Sequence, residues 1–234
     1  MVKIVATCEH ATNKIPDEYQ HLFMKYGDVL ESHKGYDIGA AKLFTIISST
    51  IADYHLSAEV SRLLVDVNRS LGHGELFSFI TKSLSDTAKE KIIKRYYLPY
   101  RNKIEDKIQE YVIMDAVVIH LSIHTFTPVL NNKVRKADIG LLYDPRRKGE
   151  KLLCTQMKHR LSDPHIKVHL NYPYRGTSDG LTSYFRKKFD EEHYVGIEIE
   201  INQKFCWDKE KWGQLQYHIL QGLRSCVTKS LIQN

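Results

Sequence analysis

Histidine, carboxylate and guanidinium side chains gather where the apolar stretches of this chain end, and these are the groups that bind metal ions, move protons and grip carboxylates. Cys8-Glu9-His10 closes the first apolar stretch, and Asp66-Val67-Asn68-Arg69 follows Leu63-Leu64-Val65. His120 and His124 lie at the end of the stretch richest in Val and Ile, and Glu198 and Glu200 alternate with isoleucines. Open α/β sheets build their sites at the carboxyl ends of strands. His10 and His124, delivered to such an edge in the same manner, would make a pair of zinc ligands. A carboxylate third ligand then leaves a fourth position open for water. Asp37 is the preferred third ligand and Glu9 its rival. Adjacent residues of an extended chain point to opposite sides, so Glu9 and His10 can share a metal only if the turn re-aims one of them.

The remaining polar residues divide between chemistry and plain structure. His120 lies four residues before His124 on the same strand face and reads better as a hydrogen-bonded core histidine. Arg69 offers a planar fork suited to a carboxylate, and Asn68 a donor and an acceptor suited to an amide. An Asp66–Arg69 pair that merely closes a turn is the competing reading of that segment. Glu198 and Glu200 fall on one face of their strand, where burial is costly unless they meet a charge or a metal. That cost marks Glu200 as functional unless the strand is an exposed edge.

The elements that must position these groups alternate between strand and helix. Strands are expected over Lys3–Thr7, Arg62–Val67, Ala116–Ile123, Ile139–Tyr143, Ile166–Leu170 and Val195–Ile201. Ile38, Ala41, Phe44, Ile47 and Ile51 recur at helical spacing, predicting a helix over Asp37–Ala52 with Asp37 at its electrostatically favourable start. Further helices are expected over Asp86–Tyr111, broken near Pro99, and over Glu150–Leu161, Leu181–Phe189 and Lys209–Leu231. Asn13-Lys14-Ile15-Pro16 reads as a turn. The alternation predicts a three-layer α/β/α domain around a central mixed, mostly parallel sheet. With no repeat, low-complexity tract or linker in its 234 residues, the chain reads as one domain over 1–234.

Composition narrows the function classes. Lys and Arg total 34 against 28 acids, a formal charge of +6 scattered through helical segments rather than gathered in a block. That pattern suits a solvated surface with some preference for anionic small molecules, and nucleic acid is not the expected partner. Cys8, Cys154, Cys206 and Cys226 show neither CxxC pairing nor small-domain spacing, so neither a disulfide framework nor a thiolate zinc site is expected. No stretch approaches the roughly 18 apolar residues of a membrane span. A cytoplasmic enzyme without a membrane partner is the expectation.

Seven segments carry a family resemblance in content and order: CEHATNKIP, YDIGAA, SRLLVDVNR, HLSIHTFTP, IGLLYD, NYPYRGTSDGL and EIEINQKFCWD. Together they resemble the N-formylglutamate amidohydrolases over nearly the whole chain. More distantly they are similar to the zinc acylases that include aspartoacylase and succinylglutamate desuccinylase, and to the zinc carboxypeptidases. The resemblance implies a carboxypeptidase-like fold and zinc-assisted hydrolysis of a small N-acyl amino acid such as N-formylglutamate. It implies His10 and His124 as zinc ligands, Asn68 and Arg69 as the grip on the substrate carboxylate, and Arg175 as a second anchor. Arg62 would polarise the scissile carbonyl, and Glu200 would serve as general base and then acid. The chain departs from the acylase pattern at Asn13, where a glutamate ligand stands in those enzymes, and this keeps Asp37 in view. A peptidase, a deacylase of another acyl group, or a metal-free binding protein of the same fold are the alternative readings.

Overall fold

The structure is a computed structural model that describes residues 1–227. In chain order its strands are β1 (Val2–Cys8), β2 (Tyr54–Ser57), β3 (Val117–Phe126), β4 (Val129–Leu130), β5 (Lys133–Val134), β6 (Ile139–Leu142), β7 (Val168–Leu170) and β8 (Tyr194–Asn202). The helices are α1 (Gln20–Phe23), α2 (Gly27–Leu30), α3 (Ala40–Ile51), α4 (Asp86–Ile92), α5 (Leu98–Ile113), α6 (Lys148–Leu161), α7 (Leu181–Arg186) and α8 (Lys209–Val227). Six strands form one sheet in the order β2-β1-β3-β8-β6-β7. The first four run parallel, β6 is antiparallel to β8, and β7 is parallel to β6. The mixed, mostly parallel sheet with helices on both faces is the architecture expected from the strand–helix alternation.

Each central strand sends alternate side chains into different layers, as the two-residue period requires. Ile4, Ala6 and Cys8 of β1, Ile119, Leu121 and Ile123 of β3, and Ile197, Ile199 and Ile201 of β8 pack with α3, α6 and α8. The opposite face takes Val5, Val118 and Tyr194 together with α5, α7 and the loop from Leu63 to Ile80. His120, Ser122 and His124 are the in-between positions of β3, and Gly196, Glu198 and Glu200 those of β8. The parallel register sets them side by side: His120 opposite Gly196, Ser122 opposite Glu198, His124 opposite Glu200. β8 is a central strand, so the exposed-edge explanation for its two glutamates does not apply.

Several expectations are corrected. Arg62–Val67 is not a strand: Leu63, Leu64, Val65 and Val67 are buried in a run of turns, with the Leu64 amide on the Ser61 carbonyl, the Arg69 amide on Asp66 and the Asp66 amide on Leu76. A short apolar run reports burial, and periodicity cannot distinguish a strand from a packed loop. The break expected near Pro99 is present: α4 ends at Ile92, a π-turn spans Ile93–Tyr97, and Pro99 sits in the first turn of α5, where a missing amide is tolerated. α3 begins at Ala40, so Asp37 lies ahead of it; Gly39, with φ of 90°, separates the two. β2 and the β4–β5 hairpin, whose turn places Asn131 and Asn132 at positive φ, had no sequence expectation. α8 follows the expected helix to Val227, and residues 228–231 of that expectation lie outside the described residues.

Candidate active site

The end of β1 and the end of β3 deliver His10 and His124 to one place, with ring centroids 5.0 Å apart. Asp37 joins them from the segment before α3, held there by its own amide, which donates to the His10 carbonyl at 2.9 Å. Asp37 Oδ2 lies 2.9 Å from His124 Nδ1 and 3.4 Å from His10 Nδ1. One potential ligand atom from each residue falls within 4.8 Å of the others, and all three residues are buried. Among the described residues this is the group of histidine, cysteine and acidic side chains that could hold a metal ion.

The far nitrogens of both rings are held by carboxylates. Asp66 Oδ1 lies 2.8 Å from His10 Nε2, and Glu9 Oε2 lies 3.0 Å from His124 Nε2. Glu9 is wholly buried, accepting from Ser122 Oγ at 2.7 Å. It therefore stands behind a histidine rather than beside Asp37. Carboxylates in this position orient an imidazole and hold a proton on the far nitrogen, so that Nδ1 is left to carry a second proton or to meet a cation. His10 Nδ1 is buried without a hydrogen-bond partner, aimed with His124 Nδ1 at an aspartate oxygen. Two ring nitrogens converging with a carboxylate oxygen in a buried site call for positive charge among them, and three such donors fit a divalent metal ion.

The electrostatics follow from these contacts. Burial pushes the Asp37 carboxyl up, but His10 and His124 outweigh it and hold the group well below the carboxylate range. Asp66 behaves alike, with Arg62 and His10 opposing its burial. Glu9 falls to about 2 because its contact with His124 outweighs its burial. Burial pulls His124 down, yet Asp37 and Glu9 leave it well above the usual imidazole range. Glu200 goes the other way. Its burial dominates, His124 offsets this only partly, Asp37 and Glu198 add to it, and the carboxyl is raised to about 8. Glu200 Oε2 is buried with no hydrogen-bond partner.

His10, Asp37, His124 and Glu200 line a cavity of about 380 Å³ together with Arg62, Asn68, Arg69 and Arg175. The structure thus brings every expected site residue to one cavity. Arg62 bonds Asp66 at 2.9 Å and lies 3.6 Å from Asp37. Asn68 Oδ1 accepts the Leu181 amide at 2.7 Å, which fixes the side chain and leaves its NH₂ for another partner. Arg69 donates to the Asp179 carbonyl at 2.7 Å while its Nε stays unpartnered and buried. Asp66 and Arg69 form no side-chain pair: the Arg69 amide donates to the Asp66 carbonyl, Asp66 Oδ1 accepts the Asn68 amide at 3.0 Å, and the Arg69 guanidinium turns to Asp179. Arg175 is exposed at the cavity's rim. His120 is a fully buried core histidine, bonded to Thr7 Oγ1 at 2.8 Å and Tyr194 Oη at 2.7 Å, and burial lowers it to about 4.

Two contributors escaped the sequence. Asp66 was visible as a charge in a turn, but its place behind His10 depends on a contact across 56 residues. Tyr174 lines the cavity with its hydroxyl accepting from Arg135 at 2.8 Å, and nothing in its local sequence marks it. None of the four cysteines forms a disulfide, and none belongs to the histidine–aspartate group. Among the described residues no helix is long and apolar enough to cross a membrane.

The family model for N-formylglutamate amidohydrolase matches residues 2–206. The gene product Atu2144 from Agrobacterium tumefaciens superposes with a TM-score of 0.83 at 22% identity, over 97% of this chain and 91% of that one. An N-formylglutamate amidohydrolase from Ralstonia eutropha JMP134 superposes with a TM-score of 0.68 at 18% identity, over 96% of this chain and 93% of its own. At these identities the likeness is one of fold. No curated protein matches significantly.

Proposed function

This chain belongs to the N-formylglutamate amidohydrolase family, and from that premise we propose that it hydrolyses the amide of an N-formyl or other N-acyl amino acid, using a divalent ion, zinc first, held by His10, Asp37 and His124. The observation that carries the reading is the convergence of His10 Nδ1, a buried ring nitrogen without a hydrogen-bond partner, with His124 Nδ1 and Asp37 Oδ2. Such an ion supplies Lewis acidity toward water and the acyl oxygen.

The chain's own residues do the rest. Glu200, beside His124 in the sheet register, takes the proton of the attacking water and passes it to the departing amine. Burial raises its carboxyl to about 8, and a cation beside it would favour the ionised form that accepts the water proton. The water oxygen joins the acyl carbon, the carbon–nitrogen bond breaks, and a carboxylic acid and an amino acid leave. Arg62 keeps guanidinium donors beyond those on Asp66 and stabilises charge that develops on the acyl oxygen. Arg69, Asn68 and Arg175 hold the amino acid's carboxylates, which fixes the amide between the ligand group and Glu200.

The test pairs metal analysis with turnover. Protein purified without chelator should carry or take up close to one equivalent of a divalent metal and release amine from N-acyl glutamates. His124→Ala should lose both properties together. Less than about a tenth of an equivalent, with no uptake of added zinc, would overturn the proposal.

A further inference from the structure

The hydrogen bonds of His120, buried in the core, lead back to the ligand group. Its Nδ1 lies 2.7 Å from Tyr194 Oη and its Nε2 lies 2.8 Å from Thr7 Oγ1. Phe185 packs edge-on against both the His120 and the Tyr194 rings, an apolar setting that strengthens the polar contact between them. Gly196 stands opposite His120 in the sheet register, and a Cβ added there would lie 2.6 Å from Tyr194 Oη. The glycine between Val195 and Ile197 therefore makes the room in which Tyr194 reaches His120.

Counting protons fixes the direction of each bond. Burial lowers His120 to about 4, so at neutral pH its ring carries a single proton. Tyr194 is fully buried, and its hydroxyl has His120 as its hydrogen-bond partner among the described residues, so the phenol proton goes to Nδ1. His120 then keeps its own proton on Nε2 and donates it to Thr7. That frees the Thr7 hydroxyl proton for the Glu9 carboxyl, which Thr7 helps to keep ionised. In the opposite tautomer the Tyr194 proton has no acceptor, and the Thr7 proton turns to His120 instead. A wholly buried carboxylate such as Glu9 is costly unless donors surround it, and Glu9 is the group that meets His124 Nε2 at 3.0 Å. We propose that His120 and Thr7 are positioning residues of the active site: the series Tyr194–His120–Thr7 holds the Glu9 carboxylate against His124 Nε2 and so keeps His124 Nδ1 turned to the metal-binding group. The inference rests on the metal reading above and extends that site into the core of the sheet.

Two substitutions at Thr7 test it. Thr7→Val keeps the shape of the side chain and removes the hydroxyl, whereas Thr7→Ser keeps the hydroxyl. Zinc affinity of the full chain, measured by competition with a chelating dye, should fall about tenfold in Thr7→Val, the loss expected when an outer partner of a ligand is removed. Thr7→Ser should hold the wild-type affinity. An equal loss in both variants assigns the effect to packing and overturns the proposal. The tautomer is read on the wild type alone: long-range proton–nitrogen NMR of the metal-free chain should show His120 protonated on Nε2, and a proton on Nδ1 overturns the proposal by itself. Zinc uptake unaltered by Thr7→Val removes the positioning role and leaves the metal reading standing. A wild type that takes up no zinc removes both.

Discussion

Glu200 is a carboxylate that burial holds in its neutral form: Oε2 is buried and unpartnered, and the group is raised to about 8. Glu200→Gln keeps its size and removes its proton chemistry. Metal content measured by mass spectrometry should stay at the wild-type level while kcat falls by about 10² to 10⁴. Near-normal turnover would exclude Glu200 as the base. The sequence made this residue legible, because two acids on one face of an isoleucine-rich strand demand an explanation. It also made His10 and His124 legible, each as a polar residue ending an apolar stretch. The choice between Asp37 and Glu9 was legible only as a pair of alternatives. Both carboxylates touch His124, and which ring nitrogen each one meets is a matter of three-dimensional approach.

At the scale of elements, the site depends on how the β1, β3 and β8 ends are placed and on the turn that carries Asp37. Gly39 is the critical position of that turn. Its φ of 90° lies where only glycine is unstrained, and an added Cβ would run into Cys206 Sγ. Gly39→Ala should cost about 1–3 kcal/mol in denaturant unfolding. It should also weaken metal binding measured by competition with a chelating dye, because Asp37 lies two residues away. Wild-type values for both would show that Asp37 is positioned independently of the turn. The central strands and the long helices were readable from two- and 3.6-residue periods. The Arg62–Val67 segment was misread because its apolar residues are buried by a folded loop, a circumstance with no period of its own.

Across the whole molecule, a buried ion pair away from the site ties the layers together: Arg186 of α7 bonds Glu150 of α6 at 2.9 Å and the Gly196 carbonyl of β8 at 2.7 Å. At the surface, Asp144 bonds the exposed Arg146 two residues on. The hydrogen bond from Arg146 outweighs burial and holds the Asp144 carboxyl at about 2. A carboxyl depressed in the folded state stabilises it above its unfolded value near 4, and the contribution is lost as pH falls through about 2. Thermal unfolding midpoints of the wild type and Asp144→Asn should therefore differ at neutral pH and converge toward pH 2. A gap independent of pH would mean that Asp144 acts through packing or hydrogen bonding rather than charge.

The sequence by itself determined the layered α/β architecture and the chemical character of the site, because periodicity dictates which face of each element is buried and polar residues at strand ends are costly unless used. Only the tertiary structure decided that β3 and β8 are neighbours in a register setting His124 beside Glu200, and that Asp66 and Glu9 back the two histidines. Those facts depend on contacts between segments far apart in the chain, which no local pattern of side chains encodes.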